Sequence, residues 1–425
     1  MRPGGAGASG RSGGSGKGAV LAVVVLLALP PTAASQTFTQ RGFVDGSVVL
    51  FPQDAPNDPT RAVGDLLVRD DVFVKPASWV QFAGGVDLRA NSHDQVEDSW
   101  RVDISDRGTL RPRLSVRRLS ATFTRGPVTI DAGKQFIRWG KTDILTPTDR
   151  FAPRDFINVV DTELLGVTGV RGVVQAGAET FEGVWLPRLT PSRTPLVDQR
   201  WTVVPEAAAG LTLVDAGAIF PDGAQAGVRW GHVGAGFEYS LSFFNGFNHL
   251  PNIEAAAIPA SPVVELTRTY PAIRTYGGDA AVPTRWFTLK SEAAYFTTSS
   301  IGTDEYVLYV LQLERQTGEW VIVAGYAGEV VTLRRSTLDF APDRGLTKSI
   351  VARASYTIGP TRSAAFESAI RQNGDGAYAK AEYSQARGNH WRATVSGVLI
   401  RGEPDDFLGQ YRLNSYVKAA LRYSF

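Results

Sequence analysis

Four histidines and no cysteine bound the chemistry open to this chain. Acid–base or nucleophilic catalysis needs a His or paired carboxylates beside a nucleophile or an activated water. His93 adjoins Asp94 in a polar stretch, and His249 follows Phe-Asn-Gly-Phe-Asn. His232 falls at a predicted turn and His390 opens a predicted strand. No two of them have metal-ligand spacing, so neither a metal nor a cofactor is expected. The Gly-x-Gly at Gly234–Gly236 lies in a strand turn and opens no helix, so it is not a phosphate cradle. The densest chemistry is instead a charged segment. Arg138, Lys141, Arg150 and Arg154 stand among Asp143, Asp149, Asp155, Asp161 and Glu163, and Pro147 and Pro153 stiffen the chain between them by fixing φ. Two roles fit this composition: a constriction that narrows a passage and sets its local field, or a clasp of bidentate Arg–carboxylate pairs. Trp139, in the middle, is expected to pack at a rim.

The elements that must carry this segment are strands. Phe237, Tyr239, Leu241 and Phe243 alternate with Glu238, Ser240 and Ser242. Residues 287–295, 349–358 and 391–399 alternate in the same way, one face apolar and the other polar. Segments of roughly ten such residues separated by turns are the pattern of a transmembrane barrel. Trp286, Tyr295, Tyr356, Tyr383, Trp391 and Tyr423 lie near segment ends, where interfacial girdles sit. Tyr306–Glu314 and Trp320–Val331 are apolar on both faces, as expected of strands whose inner face a loop covers. The run Arg113–Arg125 changes phase at Arg117 and Arg118, which predicts a bulge.

Connections alternate between short and long. Eight short ones and nine longer ones give eighteen antiparallel strands; sixteen is the alternative, because 66–75 and 188–223 read either way. The segment 373–376 is short where the alternation asks for a long loop. The inward faces carry Arg117, Arg118, Glu238, Lys290, Glu292, Arg353 and Arg392, a mixture of signs that predicts a polar lumen without strong ion selectivity. Further lumen charges are Glu367, Arg371, Lys380, Glu382, Lys418 and Arg422.

Both ends of the sequence fit this fold. Residues 19–29 are an apolar run preceded by Arg2, Arg11 and Lys17 and followed by Thr-Ala-Ala-Ser-Gln, the form of a secretory signal peptide over 1–35. The run is too short to span a bilayer as a helix, which takes about 20 residues. The barrel is then a single domain, 36–425. The leader holds three of the 44 Lys and Arg, leaving 41 against 42 Asp and Glu, so no charge argument points to nucleic acid. At the other end, Val417, Ala419, Leu421, Tyr423 and Phe425 share one face. This resembles the closing strand of bacterial outer-membrane barrels, with Tyr423 and Phe425 in the aromatic places and Ala420 where glycine is common. That likeness implies insertion by the barrel-assembly machinery, with outer-membrane lipid around the finished barrel.

A second resemblance rests on Gly133-Lys-Gln-x3-Trp-Gly140 and Thr146-Pro-x-Asp149. These motifs resemble those of an uncharacterised porin-like outer-membrane family of Gram-negative bacteria, more distantly similar to the phosphate-selective and alginate-export porins. The likeness covers about 30 residues. It implies passage of small polar or amphipathic solutes through a non-enzymatic channel and assigns no catalytic role. A non-conducting barrel that binds a partner or assembles surface polymer is the second reading. A barrel enzyme built on His93, Asp94 and a distant Ser is the third. No subunit patch is identifiable from the sequence, so no oligomeric state follows.

Overall fold

The computed structural model describes residues 37–204, 210–336 and 344–425. The expected leader lies outside the described residues. Eighteen antiparallel strands form one closed barrel. Its first nine are β1 (Thr37–Leu50), β2 (Ala62–Ala77), β3 (Val80–Asn91), β4 (Leu114–Arg125), β5 (Val128–Gln135), β6 (Val167–Ala176), β7 (Glu179–Leu186), β8 (Gln225–Gly234) and β9 (Phe237–Phe247). The others are β10 (Ala272–Pro283), β11 (Thr288–Thr297), β12 (Glu305–Thr317), β13 (Trp320–Leu333), β14 (Ser349–Thr357), β15 (Arg362–Arg371), β16 (Gly376–Arg387), β17 (Trp391–Gly402) and β18 (Tyr416–Ser424). Each strand pairs with its neighbours in sequence, and β18 closes on β1 from Phe43 opposite Ser424 to Leu50 opposite Val417. Closure leaves no edge strand to be satisfied by water, the condition for crossing hydrocarbon with strands.

The strand pattern dictates which face is which. On β9, Leu241 stands exposed on the exterior while Ser240 is buried inside. Tyr276, Ile350, Phe366, Val395 and Leu421 repeat the exposed exterior around the wall. This apolar sleeve is far larger than a soluble surface carries and suits lipid. The tryptophans are unevenly placed. Trp79 and Trp286 sit in short turns, Trp320 and Trp391 begin β13 and β17, and Trp230 lies in the middle of β8. Trp185 stands exposed at the long-loop end of β7, and Trp79, Trp286, Trp320 and Trp391 mark the short-turn end. There Trp320 meets Tyr356 with ring centroids 4.7 Å apart, and Trp391 meets Tyr423 at 4.9 Å. The Phe425 ring lies over Gly42 of β1, where any Cβ would collide with it.

The short turns fall where the sequence places them, and the stretch 373–376 joins β15 to β16 as a tight connection. The two ambiguous regions resolve differently. Residues 66–75 belong to one long strand, β2. In 188–223 the strand Thr212–Ile219 lies outside the barrel: it runs parallel to Val263–Thr269, which pairs with Asn252–Ala257 in a small three-stranded sheet. The predicted bulge is present. Gly85 opposes Arg118 and Val86 opposes Val116, leaving Arg117 as the extra residue. Its effect is to bring both guanidinium groups to Phe136, at 4.6 and 5.1 Å from the ring centre.

At the long-loop end the connections interlock. Asp58 of the β1–β2 loop meets His93 of the β3–β4 loop at 2.8 Å, and Gln199 of the β7–β8 loop donates to the His93 carbonyl at 2.7 Å. Asn57 donates to the carbonyls of Val197 and Gln199, and the Arg200 guanidinium lies 4.0 Å over Phe51.

Candidate functional site

The β5–β6 connection, residues 136–166, turns into the barrel and crosses it. Its first anchor is Glu292, on the inner face of β11 and almost wholly buried. Glu292 Oε2 accepts from the backbone N–H groups of Lys141 (2.8 Å) and Thr142 (3.0 Å) and from Thr142 Oγ1 (2.9 Å). Its Oε1 accepts from the N–H and hydroxyl of Thr148, at 2.9 and 2.8 Å. Five donors on one carboxylate fix the loop tip against the far wall. The wall is bare where the tip touches it. A Cβ at Gly277 would lie 2.7 Å from the Thr148 methyl, and one at Gly325 would lie 2.7 Å from the Ile144 side chain.

Asp149 organises the turn from within, accepting from the backbone N–H groups of Trp139 and Gly140 and from Arg138 Nε at 3.2 Å. Lys141 reaches Glu238 on β9 at 2.6 Å. Asp143 meets Lys290 at 3.3 Å and accepts from Gln312 Nε2 at 2.6 Å. Arg150 stacks 4.8 Å over Phe296, and Arg154 donates to Thr162 Oγ1 at 3.3 Å. Asp155 is buried between Arg111 (2.9 Å) and Arg193 (3.4 Å), tying this loop to the β3–β4 and β7–β8 loops. Trp139 is not at a rim. It is buried with Phe151, Phe244, Phe296, Tyr306 and Leu308 in an interior apolar cluster, its Nε1 donating to Glu182 at 2.7 Å. That cluster explains why β12 reads apolar on both faces: its inner face lies under the loop.

Arg117 pairs with Asp71 at 3.2 Å, and Arg118 also stacks 5.7 Å from Phe73. Arg353 faces inward opposite Glu367, and Arg392 opposite Arg422, both away from the loop tip.

A cavity of about 430 Å³ remains between the loop and the wall of β1, β2 and β18. None of the seven residues singled out in 138–155 lines it. Arg138 and Asp143 keep about half of their side-chain surface open elsewhere, at 47% and 53%, and the part of the loop that faces this cavity is the following strap, residues 158–163. The strap is held at two stations. Asp161 meets Lys380 of β16 at 2.8 Å and Lys418 of β18 at 2.9 Å, with the Tyr416 hydroxyl at 3.2 Å. Glu163 meets Arg69 of β2 and Arg89 of β3, both at 2.8 Å. Arg69 also holds Asp87 in a fork of two 2.7 Å bonds. Arg69, Asp87, Arg89, Arg111 and Arg193 escaped the sequence reading. Asp87 and Arg89 carried a signal, since they alternate with Val86 and Leu88.

Burial alone would raise both strap carboxyls. The Lys418 and Lys380 ammonium groups outweigh it at Asp161, and Arg89 and Arg69 outweigh it at Glu163, so each is pulled down to about 2. A depressed carboxyl contributes its stabilisation above its ordinary range and loses it as pH falls through the depressed value. The strap is therefore expected to hold unchanged from pH 8 to pH 5 and to loosen only between about pH 4.5 and pH 2. Hydrogen exchange across 158–163 as a function of pH checks this; loosening already at pH 6 would contradict it.

Three histidines meet side chains from distant segments, among them His232, which lies 2.6 Å from Glu179. His93 faces Asp58 rather than its neighbour Asp94. His249 meets Ser192 at 2.9 Å in a buried site, where desolvation, with Arg150 and Arg154 nearby, pushes its imidazole down to about 3 and leaves it neutral at pH 7.

No family model and no curated protein matches the sequence. Solved structures do match the fold. OccAB4 of Acinetobacter baumannii aligns over 92% of this chain and 99% of its own, with a TM-score of 0.53 and 11% identity. OpdQ of Pseudomonas aeruginosa gives the same coverage and TM-score at 10% identity. A BenF-like porin from Pseudomonas fluorescens Pf-5 aligns over 92% of this chain and 98% of its own, at a TM-score of 0.53 and 11% identity. At such identities the likeness is one of fold, and that fold is a transmembrane antiparallel β-barrel of the kind a porin has.

Proposed function

We propose that the chain is a porin-like channel of the bacterial outer membrane, passing small polar or amphipathic solutes passively. One observation carries the reading: a closed barrel with an apolar exterior keeps a polar cavity beside its inward loop, lined by charges of both signs. Apolar wall, charged interior and a loop folded across the lumen are what a size-limited aqueous path needs. The porin among the structural neighbours and the motif resemblance at Gly133–Asp149 support the same reading. In this orientation the short turns face the periplasm, lipid surrounds the sleeve, and the strand ending in Tyr423 and Phe425 is the one the barrel-assembly machinery engages.

The test is planar-bilayer conductance of refolded protein, compared with a variant lacking residues 141–155. Steady channels that widen on deletion are expected. A second reading, a non-conducting barrel that binds a partner or helps assemble surface polymer, is favoured by the interior apolar cluster around Trp139 and Phe151. It predicts silence from both proteins despite correct folding. Current only from the deletion variant would identify the loop as a plug.

A further inference from the structure

We infer that Asp161 sets the ion preference of the passage, by offsetting half of the charge that two wall lysines present to the solute path. The inference rests on the channel reading above and adds the residue that determines selectivity. The strap runs across the inside of β1, from β16 and β18 to β2 and β3, with the cavity between it and the wall. Asp161 and Glu163 lie two residues apart on this segment, and each is gripped by two cations. The two stations differ in what stands behind them. Arg69 and Arg89 both also reach Asp87, at 2.7 and 3.3 Å, so they keep a carboxylate if Glu163 is lost. Lys380 and Lys418 have Asp161 alone within 4 Å among the described residues. All three side chains line the cavity and keep between a fifth and a third of their surface open to it. The station thus has a formal charge of +1, and one substitution changes it in either direction. In a narrow polar passage, charge at the wall acts on each passing ion with little screening.

The test is the reversal potential in a KCl gradient for three proteins. Asp161→Asn raises the station to +2, and the double variant Lys380→Gln/Lys418→Gln lowers it to −1. The chloride-to-potassium permeability ratio is expected to rise about threefold in the first and to fall several-fold in the second, the scale of unit charges at nanometre range. Glu163→Gln also adds one positive charge at this cavity and is expected to move the ratio in the same direction as Asp161→Asn, while the strap is then held less firmly at β2 and β3. A purely structural strap gives another result: both Asp161→Asn and the lysine pair would free it, changing conductance in the same direction without moving reversal potentials apart. That outcome overturns the inference and leaves the channel reading standing. Silence of the unaltered protein overturns the channel reading itself and this inference with it.

Discussion

Alanine in place of Glu292 is expected to release the tip of the inward loop and raise single-channel conductance severalfold. The carboxylate receives three backbone N–H groups and two hydroxyls from residues 141–148. Removing it strands these donors in a buried site, at a cost of about 3–5 kcal/mol of docking energy. The barrel itself should survive, since β11 keeps its backbone pairing with β10 and β12. Glutamine is the informative comparison. Its amide has one acceptor oxygen, so whichever way it turns, an NH₂ faces donors, and its effect is expected to fall between wild type and alanine. Hydrogen exchange over 141–148 and bilayer conductance read the change. Unaltered protection of that stretch in the alanine variant would show that the surrounding apolar packing alone holds the loop.

Asp155→Ala is expected to do comparable damage at the opposite end of the loop, and to spread it. The side chain bonds Arg111 through both carboxylate oxygens and also accepts from the Ile157 backbone N–H at 3.1 Å. Without it Arg193 retains Asp106 at 2.7 Å, whereas the nearest carboxylate left to Arg111 is Asp65 at 3.7 Å. Removing one partner of a buried pair costs about 3–5 kcal/mol, because the other charge stays buried. Since Arg111 and Arg193 come from two other loops, proteolysis should become faster in 92–113 and in 187–204 as well as in 136–166. Cleavage confined to the mutated loop would refute the idea that Asp155 couples the three.

Much of the wall was legible in the sequence, because period-two alternation is local. Residues 237–243 or 417–423 announce both strand and face without reference to anything distant. The bulge at Arg117 and the covered inner face of β12 were readable for the same reason, as departures from alternation. The contents of the lumen were not. Lys380 and Asp161 are 219 residues apart, and nothing in either neighbourhood specifies the other. The strand Thr212–Ile219 misled because its partner, Val263–Thr269, belongs to a different loop, so its strand character was visible and its place outside the barrel was not. Trp139 misled in another way: beside charged residues it read as a rim aromatic, while its neighbours in space are Phe151 and Phe244.

The tryptophans gathered at the short-turn end give the molecule a fixed height. Indole rings hold to the boundary between headgroups and acyl chains, so four of them at one level tether that level. A host membrane a few ångströms thicker or thinner cannot be matched there without dragging the rings off the boundary. The mismatch is then absorbed more at the opposite rim, where Trp185 stands against four at the tethered end and lipids must stretch or thin around the strand ends that carry the interlocked loops.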